Sequence, residues 1–300
     1  MPDEGVSRSA GRLVFDALER RLSLLAPVRP RLALSGTRVL GQLRNRLSGQ
    51  WPSPEQIRTL FPHLDPREAA RVAWRIGGLE ARNRVLVGCI RNAGMAAVRP
   101  LVRTSAAALS VLRPPLLLGT FHVGAVQALA PALERFPGPV LGLRQGVLSA
   151  AAQPLTLVTT EGDEQSRAAV FLHALNHLQS GGFVALALDV VLGAGLRVPC
   201  LGRTIELARG PFALARLTGA RLVPLAARWR RGGVEILIGE PLEPEPIRDP
   251  AADPTVDPAD WENALAVAAG RWLERYLQSA PAELGLGLLR ILLSSPPPGS

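Results

Sequence analysis

Lysine is absent from this chain of 300 residues, so its 34 basic residues are all arginine and outweigh 25 acidic ones to leave a net charge of +9. A GC-rich genome accounts for the missing lysine. The positive balance itself favours acidic partners: anionic lipid headgroups, nucleic acid or an acidic carrier protein. Aromatic residues are also few, with one Tyr, five Trp and seven Phe. The arginines are spread along the chain, so a basic groove with stacking platforms is poorly supplied and no nucleic-acid partner is expected. Cys89 and Cys200 lie far apart without a CxxC companion. That excludes a disulfide framework, makes a metal site built on cysteine improbable and points to a reducing compartment. No window reaches ~18 uninterrupted apolar residues, so no spanning helix is expected. The opening Met1-Pro2-Asp3-Glu4-Gly5 lacks the basic-then-apolar order of a signal peptide. Walker, Gly-x-Gly-x-x-Gly and Gly-x-Ser-x-Gly motifs are missing, which removes the residues of nucleotide binding and of serine hydrolysis.

What is present divides the chain in two. Residues 1–112 read as a helical region, 113–295 as an α/β domain and 296–300 as a disordered tail. In 12–26, Val14, Leu18, Leu22 and Leu25 share one face, with Asp16, Glu19, Arg20 and Ser23 on another. Residues 31–48 carry Arg31, Arg38, Arg44 and Arg46 among apolar residues. These two helices fit either a membrane interface, apolar side down, or a cap on the main domain. Ser53-Pro54-Glu55-Gln56 and Asp65-Pro66-Arg67-Glu68 are helix starts, each with a capping residue, proline next and Gln or Glu three on. From Pro115 short apolar runs alternate with helical stretches. Strands are expected at 116–121, 140–143, 155–158, 183–188, 222–226 and 234–238, and helices at 125–135, 164–179, 210–218 and 260–278, with a leucine-rich end over 284–293. A loop is expected over 240–260. The alternation predicts a layered α/β domain with a mostly parallel central sheet flanked by helices.

His122 stands where the first of these runs gives way to a helix, a position that aims side chains into a cleft at a sheet edge. The helix dipole there would keep the imidazole neutral, as a general base requires. Gln127 follows five residues on. The run Gly181–Leu188 ends in a lone carboxylate, Asp189. Arg144 follows another strand, and Arg203 and Arg209 flank the segment Leu201–Gly210. The other histidines read as structural. His173 and His177, at i and i+4, lack the Glu of a zinc-protease motif and share a polar face with Arg167, Asn176 and Ser180. His63 reads as part of a turn.

The order His122-x4-Gln127, strand-Asp189, Val198-Pro-x-Leu-Gly-Arg203 and Gly210-Pro-x-Ala-Leu-Ala215, then Thr218-Gly-Ala220, resembles the lysophospholipid acyltransferase superfamily over residues 115–240. The nearest branches are the bacterial late lipid A and phosphatidylinositol-mannoside acyltransferases. The resemblance implies transfer of a fatty acyl group from acyl carrier protein or coenzyme A to a hydroxyl of a membrane lipid or glycolipid. It implies no bound cofactor and a peripheral address on the cytoplasmic face of the cell membrane, against an anionic surface. It makes His122 the general base and gives the residue five positions on the role of orienting it. Arg144, Arg203 and Arg209 become candidates for binding phosphate or oxyanion charge, and Asp189 for site structure. The family has Asp or Glu where this chain has Gln127. An amide fixes a tautomer but gives no charge to the imidazolium. Another carboxylate, Asp189 or one of Glu161-Gly-Asp163-Glu164, reaches His122 in space, or the acceptor is a better nucleophile than a sugar hydroxyl, or the protein is a degenerate member that binds lipid or scaffolds a lipid-modifying complex.

Overall fold

The computed structural model describes residues 4–25, 29–47, 52–144, 155–159, 163–193, 195–244 and 257–296. Of residues 4–14, 30, 31, 45–47, 144, 157 and 159 it describes the backbone alone. Residues 297–300 of the C-terminal tail and 245–256 of the 240–260 loop lie outside the described residues.

Four helices open the chain: α1 (Glu4–Leu25), α2 (Pro30–Leu47), α3 (Pro54–Leu60) and α4 (Pro66–Ala93). The last two begin where their sequence dictates. Ser53 accepts from the Gln56 N–H and Asp65 from the Glu68 N–H, and in each case the third-position side chain returns a bond to the cap backbone. Each such cap stabilises its helix by about 1 kcal/mol. A three-residue strand, β1 (Val102–Thr104), interrupts the helical region, which the apolar pattern there does not foretell.

After a short helix α5 (Ala106–Ser110), the remaining elements are β2 (Leu116–Gly124), α6 (Leu129–Leu133), β3 (Val140–Arg144), β4 (Leu155–Thr159), α7 (Glu164–Gln179) and β5 (Phe183–Ala187). Then come β6 (Gly195–Cys200), β7 (Arg203–Ala208), α8 (Gly210–Thr218), β8 (Arg221–Arg230), β9 (Gly233–Ile238), α9 (Pro258–Ser279) and α10 (Leu286–Ser294). Seven strands form one sheet in the order β1-β9-β8-β2-β5-β3-β4, parallel except for the β8–β9 pair. The fold is α/β, with a mostly parallel sheet flanked by helices. All six expected strands are present. The helix expected over 125–135 is instead a 3-10 turn, Val126–Ala128, followed by the five residues of α6. Proline is best tolerated in the first turn of a helix, and Pro131 falls there in α6.

The central strand β2 alternates strictly. Leu117, Phe121 and Val123 pack on one face of the sheet against α3, α9, α10 and the start of α4. Leu116 and Leu118 pack on the other face with α2, α6 and the second half of α4. Both cores therefore draw on the helical region 1–112 as well as on the sheet. β6 and β7 form a separate antiparallel hairpin, closed by Leu201 and Gly202 with φ of 52° and 66°. Two successive positive-φ residues are the geometry of a two-residue hairpin turn, matched to strand twist.

Candidate functional site

His122 lies near the carboxyl end of β2, and it is the one exposed residue in a strand that is otherwise buried. Asp189 lies two residues beyond the end of the neighbouring parallel strand β5. The connection out of β2 leads to β3 on one side, whereas the chain leaving β5 crosses β2 to reach β8 on the other. A crevice at such a divergence is where open α/β sheets place their ligand sites. The approach is held by backbone bonds. The Leu188 N–H donates to the Thr120 carbonyl (2.8 Å), and the Ala208 N–H at the end of β7 donates to the Leu188 carbonyl (2.7 Å).

Asp189 clamps His122 with both oxygens. Oδ2 accepts from the His122 backbone N–H at 2.8 Å and Oδ1 from ring Nδ1 at 2.9 Å. An ionised carboxylate only accepts, so Nδ1 carries the proton and Nε2 keeps its lone pair. The carboxylate side chain is 9% exposed and the imidazole 50%. Asp189 is thereby shielded, while the ring reaches solvent and the cleft. The hydrogen bond to Asp189 raises the His122 pKa above the ordinary histidine value; burial opposes the rise and the carboxylate's charge adds to it. This reverses the expectation that a helix dipole holds the imidazole neutral. The element after Gly124 is only a 3-10 turn, so a full carboxylate charge at 2.9 Å outweighs any dipole.

The contact with the imidazole expected of Gln127 is made by Asp189. Gln127 lies on the 3-10 turn and lines the same cleft, but His122 Nδ1 is engaged by the carboxylate. Asp163 is instead the N-cap of α7, accepting from the Ser166 N–H at 2.8 Å.

The cleft has a volume of about 580 Å³ and extends from His122 between α6, α7 and α8. Leu129, Leu133, Phe171 and Leu214 give it apolar walls, and Arg167 and Arg209 are its cations. Arg209 is tethered, its Nε donating to Glu262 at 2.7 Å, while Arg216 takes the other oxygen of that carboxylate at 2.9 Å. Arg203 does not reach the site. It starts β7, five residues from Ala208, which at strand spacing is roughly 16 Å along the hairpin, and it donates instead to the Ser295 carbonyl at 3.3 Å. Arg144 closes β3, whose Gly142 and Leu143 line the cleft, but its side chain lies outside the described residues. The sequence pattern places Arg167 on the polar face of its helix, but it lines the cleft. Its neighbours Val170 and Phe171, which also line the cleft, are the signal that this turn of α7 faces inward.

His177 lies apart from this pair, its Nε2 3.2 Å from the Pro139 carbonyl. His63 sits in a turn, edge-on to Phe61. Cys89 and Cys200 are unpaired and buried, and burial pushes their thiols up to about 11 and about 12. Among the described residues no group of three or more His, Cys, Asp or Glu is placed to hold a metal ion.

Fold and site together define an α/β protein with a histidine–carboxylate pair at the carboxyl edge of a parallel sheet, opening on an apolar cleft. No protein-family model matches the chain, and no significant match to a curated protein was found.

Proposed function

We propose that the protein is an O-acyltransferase that moves a fatty acyl group from a thioester of acyl carrier protein or coenzyme A to a hydroxyl of a membrane lipid or glycolipid. The observation that carries this reading is the His122–Asp189 pair at the mouth of a largely apolar cleft. As the acceptor oxygen attacks the thioester carbonyl carbon, His122 Nε2 takes the hydroxyl proton. The tetrahedral intermediate then collapses, the C–S bond breaks and the thiolate recovers the proton from the imidazolium. Asp189 holds the productive tautomer and stabilises the charged ring, as an orienting carboxylate does in hydrolytic triads. Arg167 and Arg209 are the cleft's cations for oxyanion or phosphate charge. The apolar walls suit an acyl chain.

A peripheral membrane address fits the helical region. Leu24, Leu32 and Val39 are 64%, 58% and 56% exposed, and Leu43 is exposed beside them in sequence. Among the described residues no helix is long and apolar enough to cross a membrane. The degenerate, scaffolding alternative rested on Gln127, and Asp189 supplies the charge that residue lacks.

The test is thiol release from acyl-coenzyme A and from acyl carrier protein thioesters, with detergent-solubilised lipid acceptors. Wild type is expected to turn over and His122→Ala to lose activity while keeping its melting temperature. An alanine variant as active as wild type, or a wild type inert towards every thioester and lipid tried, overturns the reading.

A further inference from the structure

On the flank of β2 away from Asp189, the carboxyl end of β8 borders a second cavity, also about 580 Å³ in volume. Four arginines line it: Arg38 from α2, Arg82 from α4, Arg230 at the end of β8 and Arg231 in the β8–β9 turn. No carboxylate does. Arg82 lies over the Trp229 ring, 4.7 Å from its centroid, and the indole N–H donates to Asn83 Oδ1 at 3.2 Å, which fixes the platform. The Arg82 Nε is buried without a hydrogen-bond partner.

Little compensates this charge. Among the described residues Arg38 and Arg231 make no hydrogen bond or ion pair. Arg230 Nε donates to Glu235 at 2.8 Å, but Arg228 donates to the same oxygen at 2.9 Å, so two guanidiniums share one carboxylate. Glu283, the carboxylate acting on Arg82, is itself pushed up to about 7 by burial and so carries only part of its charge near neutrality. Arg82 is lowered to about 10 by burial and by Arg38 and Arg75, and it remains charged at pH 7. A half-buried guanidinium with its Nε unpaired among like charges is a costly arrangement that a multivalent anion relieves. Guanidinium forks match phosphate oxygens in pairs.

We infer that this cavity binds a phosphate-bearing anion, the group carried by anionic phospholipid headgroups. Its neighbourhood favours the lipid-borne form. Arg38 stands on the same helix as Leu32, Val39 and Leu43, whose exposed side chains recur at seven- and four-residue spacings and so lie along one side of α2. A surface that takes those residues brings headgroup phosphates to the level of the arginines. The inference stands on its own charges and does not depend on acyl transfer.

The experiment uses the full chain, with co-sedimentation on phosphatidylcholine vesicles with and without phosphatidylglycerol, and calorimetric titration with inorganic phosphate. Arg38→Glu combined with Arg231→Glu changes two exposed side chains and leaves the Arg82–Trp229 stack in place. It is compared with Arg58→Glu combined with Arg290→Glu, an equal charge change on exposed faces of α3 and α10. The pocket pair is expected to weaken binding to phosphatidylglycerol vesicles by at least about tenfold more than the control pair, with binding to neutral vesicles unchanged. Inorganic phosphate bound by wild type and lost in the pocket pair, without a vesicle preference, identifies a free phosphate as the source instead. Equal losses in both pairs, or no loss in either assay, overturn the site. Melting curves for both pairs confirm that each variant is folded.

Discussion

At the scale of single residues the site turns on one carboxylate that touches both the backbone and the ring of His122. Because Asp189 raises the His122 pKa, the neutral, basic form of the ring dominates only above the ordinary histidine value of 6.5. The rising limb of kcat/KM against pH is therefore expected above 6.5, and Asp189→Asn is expected to move that limb downward while cutting kcat/KM by about 10²- to 10⁴-fold. A pH profile of thiol release for both proteins checks it; an unmoved limb would show that another group sets the pKa. The same pair has a consequence for folding. A histidine whose folded-state pKa is raised stabilises the fold below the unfolded value, and that contribution is lost as pH rises through the folded pKa. Gln127→Glu, by contrast, is expected to leave kcat/KM within a few-fold of wild type, because the position does not hold the ring. Sequence alone makes His122 and Asp189 visible as polar residues at the ends of apolar runs. It cannot show that β5 pairs directly with β2, which is the contact that makes Asp189 rather than Gln127 the partner.

At the scale of elements, period and punctuation carry most of the fold. The apolar runs of β2, β3, β4, β5, β8 and β9 and the caps of α3 and α4 are all legible, because each is decided by side chains within a few residues. The hairpin β6–β7 is less so. Its buried Val198 and Cys200 alternate with exposed Arg197 and Pro199, a period-two signal, but its turn uses Leu201-Gly202 rather than Asn-Gly. The stretch after Gly124 misleads for a definite reason. Gly124 has φ of +59°, and a Cβ there would stand 2.1 Å from the Ala227 carbonyl oxygen, which also accepts from the Ala125 N–H at 2.7 Å. The chain is thus tied to β8 and turned away before a helix can begin. Gly124→Ala is expected to destabilise the protein by about 1–3 kcal/mol. Denaturant unfolding measures that loss, and an alanine variant as stable as wild type would mean that β8 yields at Ala227.

At the scale of the whole molecule, the helical region and the sheet are one packed body. The apolar core that runs under β2 and β8 continues into Ala33 and Leu34 of α2 and Leu79 and Leu86 of α4. A boundary near residue 112 therefore marks a change of pattern and not a separable unit. Replacing Leu32, Val39 and Leu43 together by serine removes exposed apolar surface without touching that core. Vesicle co-sedimentation is expected to fall several-fold at each lipid composition, with the melting temperature held. Retention of full vesicle binding would place the membrane contact elsewhere.

The orientation of α1 partly reverses the usual order of an amphipathic helix. Glu19 and Ser23 are buried, Leu18 and Leu24 are exposed, and Arg44 meets Asp16 while Glu19 takes both the Nε and one terminal nitrogen of Arg84 at 2.8 Å. The inner seam of α1 is thus polar at Glu19 and Ser23 and apolar at Leu22, while part of its outer side is oily. In plain buffer its outward leucines have only each other to turn to, so the purified protein should form concentration-dependent assemblies that mild detergent dissolves, and the oligomeric state measured will be a property of the solvent as much as of the chain.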